Sequence, residues 1–217
     1  ARPPVNPVNH DEWVSKLLLT EFCLHIPRGV ATAANKAGKT AGGLAYPVVV
    51  KALSAQLAHK TERNAVRLNL KSRREVETAA EEMEAFSMQV LVEEMVVDGV
   101  AELIIGIDRD PQFGLFLMIG AGGVQVELIK DAVPLLLPAT KAQIEATIRS
   151  LRIWPLLNGF RGRPKGDLEA VINAVANVAR FAEANADKLT ELDINPLIVR
   201  PEGKGAIVAD ALIVKGE

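Results

Sequence analysis

Asn195 and Asp210 are the side chains whose types and spacing speak most directly of chemistry. A turn centred between Glu202 and Gly203 folds two strands, 189–199 and 206–214, into a hairpin in which each residue faces the one equidistant from the turn. Asn195 then faces Asp210. Direct cross-strand partners hold their Cβ atoms about 4.5–5.5 Å apart, so an amide oxygen and a carboxylate placed this way can share one hard cation. Mg²⁺ bound to a nucleotide takes only about one or two protein oxygens besides phosphates and water. Strand alternation adds Glu191 and Asp193 to the face of Asn195 and turns Leu192, Ile194 and Ile198 the other way. The competing reading is a solvated sheet face with a chance aspartate. Against it, Asp210 stands between Ala206-Ile207-Val208-Ala209 and Ala211-Leu212-Ile213, a run apolar enough for burial.

Other positions carry weaker signals. Lys51 ends the apolar run Val48-Val49-Val50, so its ammonium must turn toward an anion, such as a phosphate, or toward water. Gly120-Ala121-Gly122-Gly123 follows a strand, where Gly122 and Gly123 either let backbone N–H groups approach phosphate oxygens or form a plain turn. Val92-Glu93-Glu94-Met95-Val96 sets two carboxylates in an apolar strand, and Glu102 precedes Leu103-Ile104-Ile105. Such acids accept hydrogen bonds from an adenine amine or ribose hydroxyls, or are partnered or edge-exposed acids. His59 and Lys60 fall in a loop between strands, where function gathers but where a lone histidine often only faces solvent. Arg161, beside Gly162, can pair with a phosphate or a partner-domain carboxylate, or lie on the surface. Cys23, the one cysteine, reads as core filler in a helical pattern with Leu17, Leu18 and Leu19.

These residues need elements to hold them. Asp11 caps a helix to about residue 22, and a second helix is expected over 31–39. Strands are expected at 46–51, 64–70, 89–96, 102–108, 115–119 and 124–129, with Val66, Leu68 and Leu70 alternating against Arg67 and Asn69. Ser72 and Glu75 form a capping box for a helix to about Phe86, and further helices cover 141–150 and 167–186. Helices scattered among strands joined by short turns, rather than strict βαβ crossovers, indicate an α+β fold.

Composition narrows the partners. A net charge of −2, no basic run and only one Tyr and two Trp argue against nucleic acid. No apolar run approaches the roughly 20 residues needed to span a bilayer, and a single cysteine suits a reducing compartment. The expectation is a soluble cytoplasmic protein. Residues 1–9, with three prolines and two asparagines, read as linker from something longer. The expected division is linker over 1–13, a first lobe over 14–93 and a second lobe with the metal site over 94–217.

In this order the motifs resemble the ATP-grasp domain of acyl-CoA synthetases of the nucleoside-diphosphate-forming kind, relatives of the succinyl-CoA synthetase β subunit. The resemblance runs from about Leu18 to Val214. It rests on Tyr46-Pro47-Val48-Val49-Val50-Lys51, Val92-Glu93-Glu94-Met95, Glu102-Leu103-Ile104-Ile105-Gly106, Arg109-Asp110-Pro111-Gln112-Phe113-Gly114, Phe160-Arg161-Gly162 and above all Glu191-Leu192-Asp193-Ile194-Asn195-Pro196-Leu197. It implies an ATP-grasp fold, two α+β lobes with mixed or antiparallel sheets gripping ATP or ADP. Lys51 would lie on the phosphates, Glu93, Glu94 and Met95 at the adenine hinge, Glu102 on the ribose side, and Asn195 and Asp210 on Mg²⁺. His59 falls on the family's His-Lys-Ser-Asp loop, which implies a phosphoryl relay, although this chain continues Thr61-Glu62-Arg63-Asn64-Ala65 without the usual Ser-Asp and glycine pair. The implied partners are CoA-binding and CoA-ligase domains or a subunit carrying a second phosphorylated histidine, in an oligomeric enzyme. The alternative is a non-catalytic nucleotide-binding regulatory module fused to an acetyltransferase or other enzyme.

Overall fold

The computed structural model describes residues 7–55, 65–123 and 131–216. The first described elements are β1 (Pro7–Asn9), α1 (Glu12–Thr20), β2 (Gly29–Ala33), α2 (Ala37–Ala41), β3 (Val48–Ala52), β4 (Val66–Leu70), α3 (Arg73–Met83) and β5 (Gln89–Glu94). After them come β6 (Ala101–Asp110), β7 (Gly114–Ala121), β8 (Ala132–Leu136), α4 (Lys141–Ser150), α5 (Trp154–Leu157) and α6 (Leu168–Ala184). The chain closes with β9 (Leu189–Val199), β10 (Ala206–Val208) and β11 (Ala211–Gly216). It forms two units: a smaller one of Asp11–Val14 and Pro27–Val97, and a larger one of Ser15–Ile26 with the described residues up to His10 and from Asp98 onward. The boundary expected after residue 93 therefore falls after Val97, and most of α1 belongs with the larger unit.

Among the described residues of the smaller unit four antiparallel strands run in the order β2-β5-β3-β4. Alternation sends Val48, Val50 and Ala52 of β3 and Val90 and Val92 of β5 to one face, where Val76, Ala80 and Met83 of α3 and Ala37 and Ala41 of α2 cover them. β3 is buried along its whole length, on both faces, and its β-branched run suits such a position. The helix expected over 31–39 is instead strand β2, a 3₁₀ turn over Ala34–Lys36 and the short α2. The intrinsic helix preference of Ala31 and Ala33 is a few tenths of a kcal/mol per residue, on the order of half at most, and yields to the ladder with β5. In edge strand β4, Asn69 has φ 59° and the register with β3 shifts between Val48 and Val50. That bulge breaks the expected alternation and leaves Leu68 exposed. Ser72 caps α3 by accepting from the Glu75 N–H, but Glu75 accepts from Lys71 N–H instead of closing a capping box, and the helix ends at Met83.

Among the described residues the larger unit has a seven-stranded antiparallel sheet in the order β1-β11-β9-β6-β7-β8, with β10 also on β9. Leu103, Ile105, Ile107, Leu117, Ile119, Leu192, Ile194 and Ile213 meet Ile144 and Ile148 of α4 and Val171, Val175, Val178 and Phe181 of α6 in one core. Residues 7–9 are not linker: they pair with β11, and Pro7 is tolerated because it opens an edge strand. Asp11 caps α1 by accepting from Val14 N–H at 2.9 Å. The helix stops at Thr20, and Leu24 N–H reaches back to the Leu19 carbonyl. Cys23, at φ 62° in that turn, is thereby swung off the apolar stripe and is exposed rather than core. β8 and α5 had no counterpart in the sequence reading, and the strand expected at 124–129 lies outside the described residues. Among the described residues no helix is long and apolar enough to cross a membrane.

The end of the β9–β10 hairpin is tied down twice. Asp167 accepts from Gly205 N–H, and Arg200 makes a two-pronged pair with Asp98, Nε to Oδ1 at 2.7 Å and Nη2 to Oδ2 at 2.9 Å. The Arg200 hydrogen bonds hold the Asp98 carboxyl below its ordinary range. A depressed folded-state pKa gives stability that is present above the unfolded value, about 3.9, and is lost as pH falls through the folded value. Both side chains are about 30% exposed, so the pair is screened. Asp98→Asn should therefore cost about 1 kcal/mol at pH 7 in urea unfolding, and the difference from wild type should shrink below about pH 4.

Candidate functional site

The polar pair of the larger unit is set by strand register. Ala211 pairs with Ile194 and Val208 with Leu197, which brackets Asn195 opposite Asp210, as the turn at Pro201 to Lys204 requires. Asn195 N–H donates to the Asp210 carbonyl at 3.2 Å, and Ala209 N–H to the Pro196 carbonyl at 3.0 Å. Asn195 is exposed and Asp210 half-buried, at the break between β10 and β11. Glu191 and Asp193 share the Asn195 face, with Leu192 and Ile194 buried opposite. Ile198 departs from expectation: Leu197 and Val199 are buried and Ile198 only partly so. β6 and β9 lose register between Leu103 and Ile105, where β9 carries one extra residue, and this bulge shifts the alternation by one. Among the described residues no group of three His, Cys, Asp or Glu is arranged to hold a metal. Two opposed oxygen-bearing side chains match instead the small donor set of a nucleotide-bound Mg²⁺.

On the face of the same sheet that carries Asn195 lies a cavity of about 490 Å³ lined by Gly106, Asp108, Met118, Asp131, Glu191 and Asp193 among others. Asp193 is the direct partner of Gly106, whose missing side chain keeps the floor low. Asp108 and Asp131 escaped the sequence reading. The alternation Glu102, Ile104, Gly106, Asp108 along β6 was the available signal for the first. Glu102 is exposed on that face, and the structure brings it together with Gly122 and Gly123. A Cβ on Gly122 would stand 3.1 Å from the Glu102 carbonyl carbon, and one on Gly123 would stand 3.3 Å from Glu102 Oε2. Gly122 N–H donates to the Glu102 carbonyl at 2.8 Å. Gly122 thus serves close strand approach, its N–H already engaged, rather than offering that N–H to a phosphate.

Arg161 sits apart, on an exposed 3₁₀ turn, with φ 51° and ψ 44° and its guanidinium 5.1 Å from the Phe160 ring centroid. Its loop is pinned at the base to the hairpin tip by Gly166 against Pro201 and by Glu202 N–H on the Lys165 carbonyl. Arg109, from another resembling segment, is structural: its guanidinium donates to the Ala186 and Leu189 carbonyls at the end of α6.

In the smaller unit Lys51 does not turn to solvent. Its Nζ lies 2.6 Å from Glu12 Oε1 and 2.8 Å from Glu93 Oε1, with all three side chains at most 7% exposed. Glu93 reaches Lys51 as a diagonal neighbour across the β3–β5 ladder, since Lys51 pairs with Leu91. Glu12 comes from the first turn of α1, where an acid looks like an ordinary helix-end charge, so nothing in the sequence linked it to Lys51. Glu94 Oε1 accepts from Ala45 N–H at 2.9 Å and stands 3.7 Å from Arg28 Nη1. The N–H groups of Glu94 and Met95 donate to the Arg28 and Pro47 carbonyls. His59 and Lys60 lie outside the described residues.

Residues 9–214 match the family model described as ATP-grasp domain. The chain is 34% identical over 216 residues to the acetate–CoA ligase (ADP-forming) II subunit beta of Pyrococcus furiosus, covering 94% of this chain and 91% of that one. It is 33% identical to the acetate–CoA ligase (ADP-forming) of Methanocaldococcus jannaschii, covering 95% of this chain but 31% of that longer one. Among solved structures it superposes with a TM-score of 0.81 at 33% identity, over 94% of this chain and 91% of the other, on the dinucleotide-forming acetyl-coenzyme A synthetase 1 of Candidatus Korarchaeum cryptofilum. That structure is a complex with coenzyme A and Mg-AMPPCP, its phosphohistidine segment pointing towards the nucleotide binding site.

The β2 glycine opposite Glu93 is a further dependency of the smaller site. A Cβ on Gly29 would lie 2.7 Å from Glu93 Cβ and 3.0 Å from the Val92 carbonyl oxygen. Gly29→Ala should destabilise the chain by about 1–3 kcal/mol in urea unfolding, because both clashing groups are fixed in the ladder.

Proposed function

From the premise that the chain belongs to the ATP-grasp family, we propose that it is the nucleotide-binding component of an ADP-forming acyl-CoA synthetase and works with CoA-binding and ligase domains or a subunit of the same enzyme. The supporting observation is the opposition of Asn195 and Asp210 across the last hairpin, in a chain that aligns with a ligase β subunit along nearly all of both lengths. On this reading Asn195 and Asp210 hold Mg²⁺, which when bound offsets the phosphate charge and orients the phosphoryl group. Lys51 meets the phosphates, Glu94 and Met95 border the adenine, and Glu102, backed by Gly122 and Gly123, faces the ribose. Glu93 acts on Lys51 rather than on the base, since that is where its carboxylate points.

His59 takes the phosphoryl group: an imidazole nitrogen forms the P–N bond as the bond to the ADP oxygen breaks, and Lys60 offsets charge beside it. Arg161, exposed with Phe160 on an anchored turn, faces the partner's phosphorylated segment. The reaction belongs in the cytoplasm, and positioning with charge neutralisation supplies most of the rate.

A thermal shift tests the nucleotide reading, since a ligand bound only by the folded chain adds about 4 kcal/mol at a thousand times Kd. Millimolar Mg-ATP should raise Tm, and Asp210→Asn should weaken Mg-ATP binding at least about tenfold while leaving Mg-free binding within about twofold. An unchanged Tm in wild type would sink the reading. With the CoA-binding and ligase domains supplied, [γ-³²P]ATP should label protein, and His59→Ala should abolish transfer between domains; a regulatory module would label nothing.

A further inference from the structure

Glu12 has no part in the reading above, yet its carboxylate lies 2.6 Å from the Lys51 ammonium, against 2.8 Å for that of Glu93. The three side chains, when ionised, carry one negative charge in excess in a place almost closed to water, and the buried Lys16 follows Glu12 by one turn of α1. A phosphate that approaches the Lys51 ammonium there is repelled by both carboxylates, and drawing one of them away relieves that repulsion; the two are not equivalent. Glu93 is locked on both sides, paired with Gly29 of β2 and Val49 of β3, so close to β2 that a Cβ on Gly29 would collide with its own. Glu12 belongs to a different element, the first turn of the nine-residue α1, where the positive end of the helix favours a carboxylate that has let go of its ammonium. Glu12 is the carboxylate that can release.

We infer that Glu12 is a positioning residue for nucleotide phosphates: it holds the Lys51 ammonium beside Glu93 until phosphates displace it, and its release sets how tightly phosphates bind. The inference rests on the nucleotide reading proposed above. Separating a buried carboxylate from an ammonium is unfavourable, and that cost is subtracted from the affinity of any ligand that requires it. It falls on ligands with phosphates and not on a nucleoside, so Glu12 also selects for phosphorylated ligands. Glutamine at this position keeps the shape and removes the charge, hence most of the cost. The variant should therefore bind phosphates better while folding less stably, a combination that a purely structural role does not produce.

The experiment is calorimetric titration of the full chain with ADP, Mg-ATP and adenosine, with Tm measured in parallel. Glu12→Gln should lower the Kd of ADP and Mg-ATP about tenfold, leave adenosine within about twofold, and lower Tm. In a Lys51→Gln background the same substitution should change ADP binding by less than about twofold, because its effect passes through Lys51. If Glu12→Gln does not fold, Glu12→Asp, which draws the carboxylate back by one methylene, should show the same order of effects with tightening of about threefold. Unchanged or weaker ADP binding in a folded Glu12 variant overturns the inference, as does equal tightening for adenosine. A wild-type chain that binds neither ADP nor Mg-ATP overturns the nucleotide reading and this inference with it, whereas normal wild-type binding with an unresponsive Glu12 overturns the inference alone.

Discussion

Strand β9 is bonded along both edges, to β6 on one side and to β10 and β11 on the other, and its register decides most of what the larger unit can do. Side chains alternate with period two, so a slip of one residue would carry Leu192 and Ile194 out of the core and bring Asp193 in. Each Leu or Ile so exposed forfeits about 1.5–3 kcal/mol, and each carboxylate so buried costs more. The apolar face fixes the register, and the register places the polar pair. The hydrophobic effect thus positions a proposed metal site in which no apolar atom takes part.

The same division of labour shapes the smaller unit with a different outcome. Its helices α2 and α3 bury one face of the sheet, and the other face of β3 and β5 is left for Lys51 and Glu93, with Glu12 added from α1. A buried charged group of this kind stabilises little compared with an apolar replacement, yet losing one member costs about 3–5 kcal/mol. Such an arrangement is better understood as a device for placing an ammonium than as a source of stability. It also accounts for Gly29, whose bare Cα lets Glu93 stand where it does.

Backbone geometry supplies what side-chain chemistry does not. Gly122 lets β7 close on Glu102, and the β9 bulge moves the buried positions from Leu192 and Ile194 to Leu197 and Val199 without disturbing the hairpin on the opposite edge. The tip of that hairpin is held by Asp167 and by the Asp98–Arg200 pair, and the loop bearing Arg161 is fixed to it in turn.

Local patterns with a short physical range were legible in the sequence. The hairpin register followed from turn chemistry and counting, α4 and β9 from periodicity alone, and the α+β class from their order. The motifs were specific enough to indicate the family. Only the tertiary structure decided the partners of charged side chains, because an ion pair between residues 12 and 51 leaves no trace in the spacing of either segment. It decided that Ala31 to Ala33 form a strand, since propensity differences of a few tenths of a kcal/mol yield to a ladder of hydrogen bonds. It also decided that Cys23 faces outward, because its left-handed backbone after α1 takes it off the helical stripe. Periodicity reports which face a residue occupies within its own element; what lies opposite that face is settled by chain arriving from far away in the sequence.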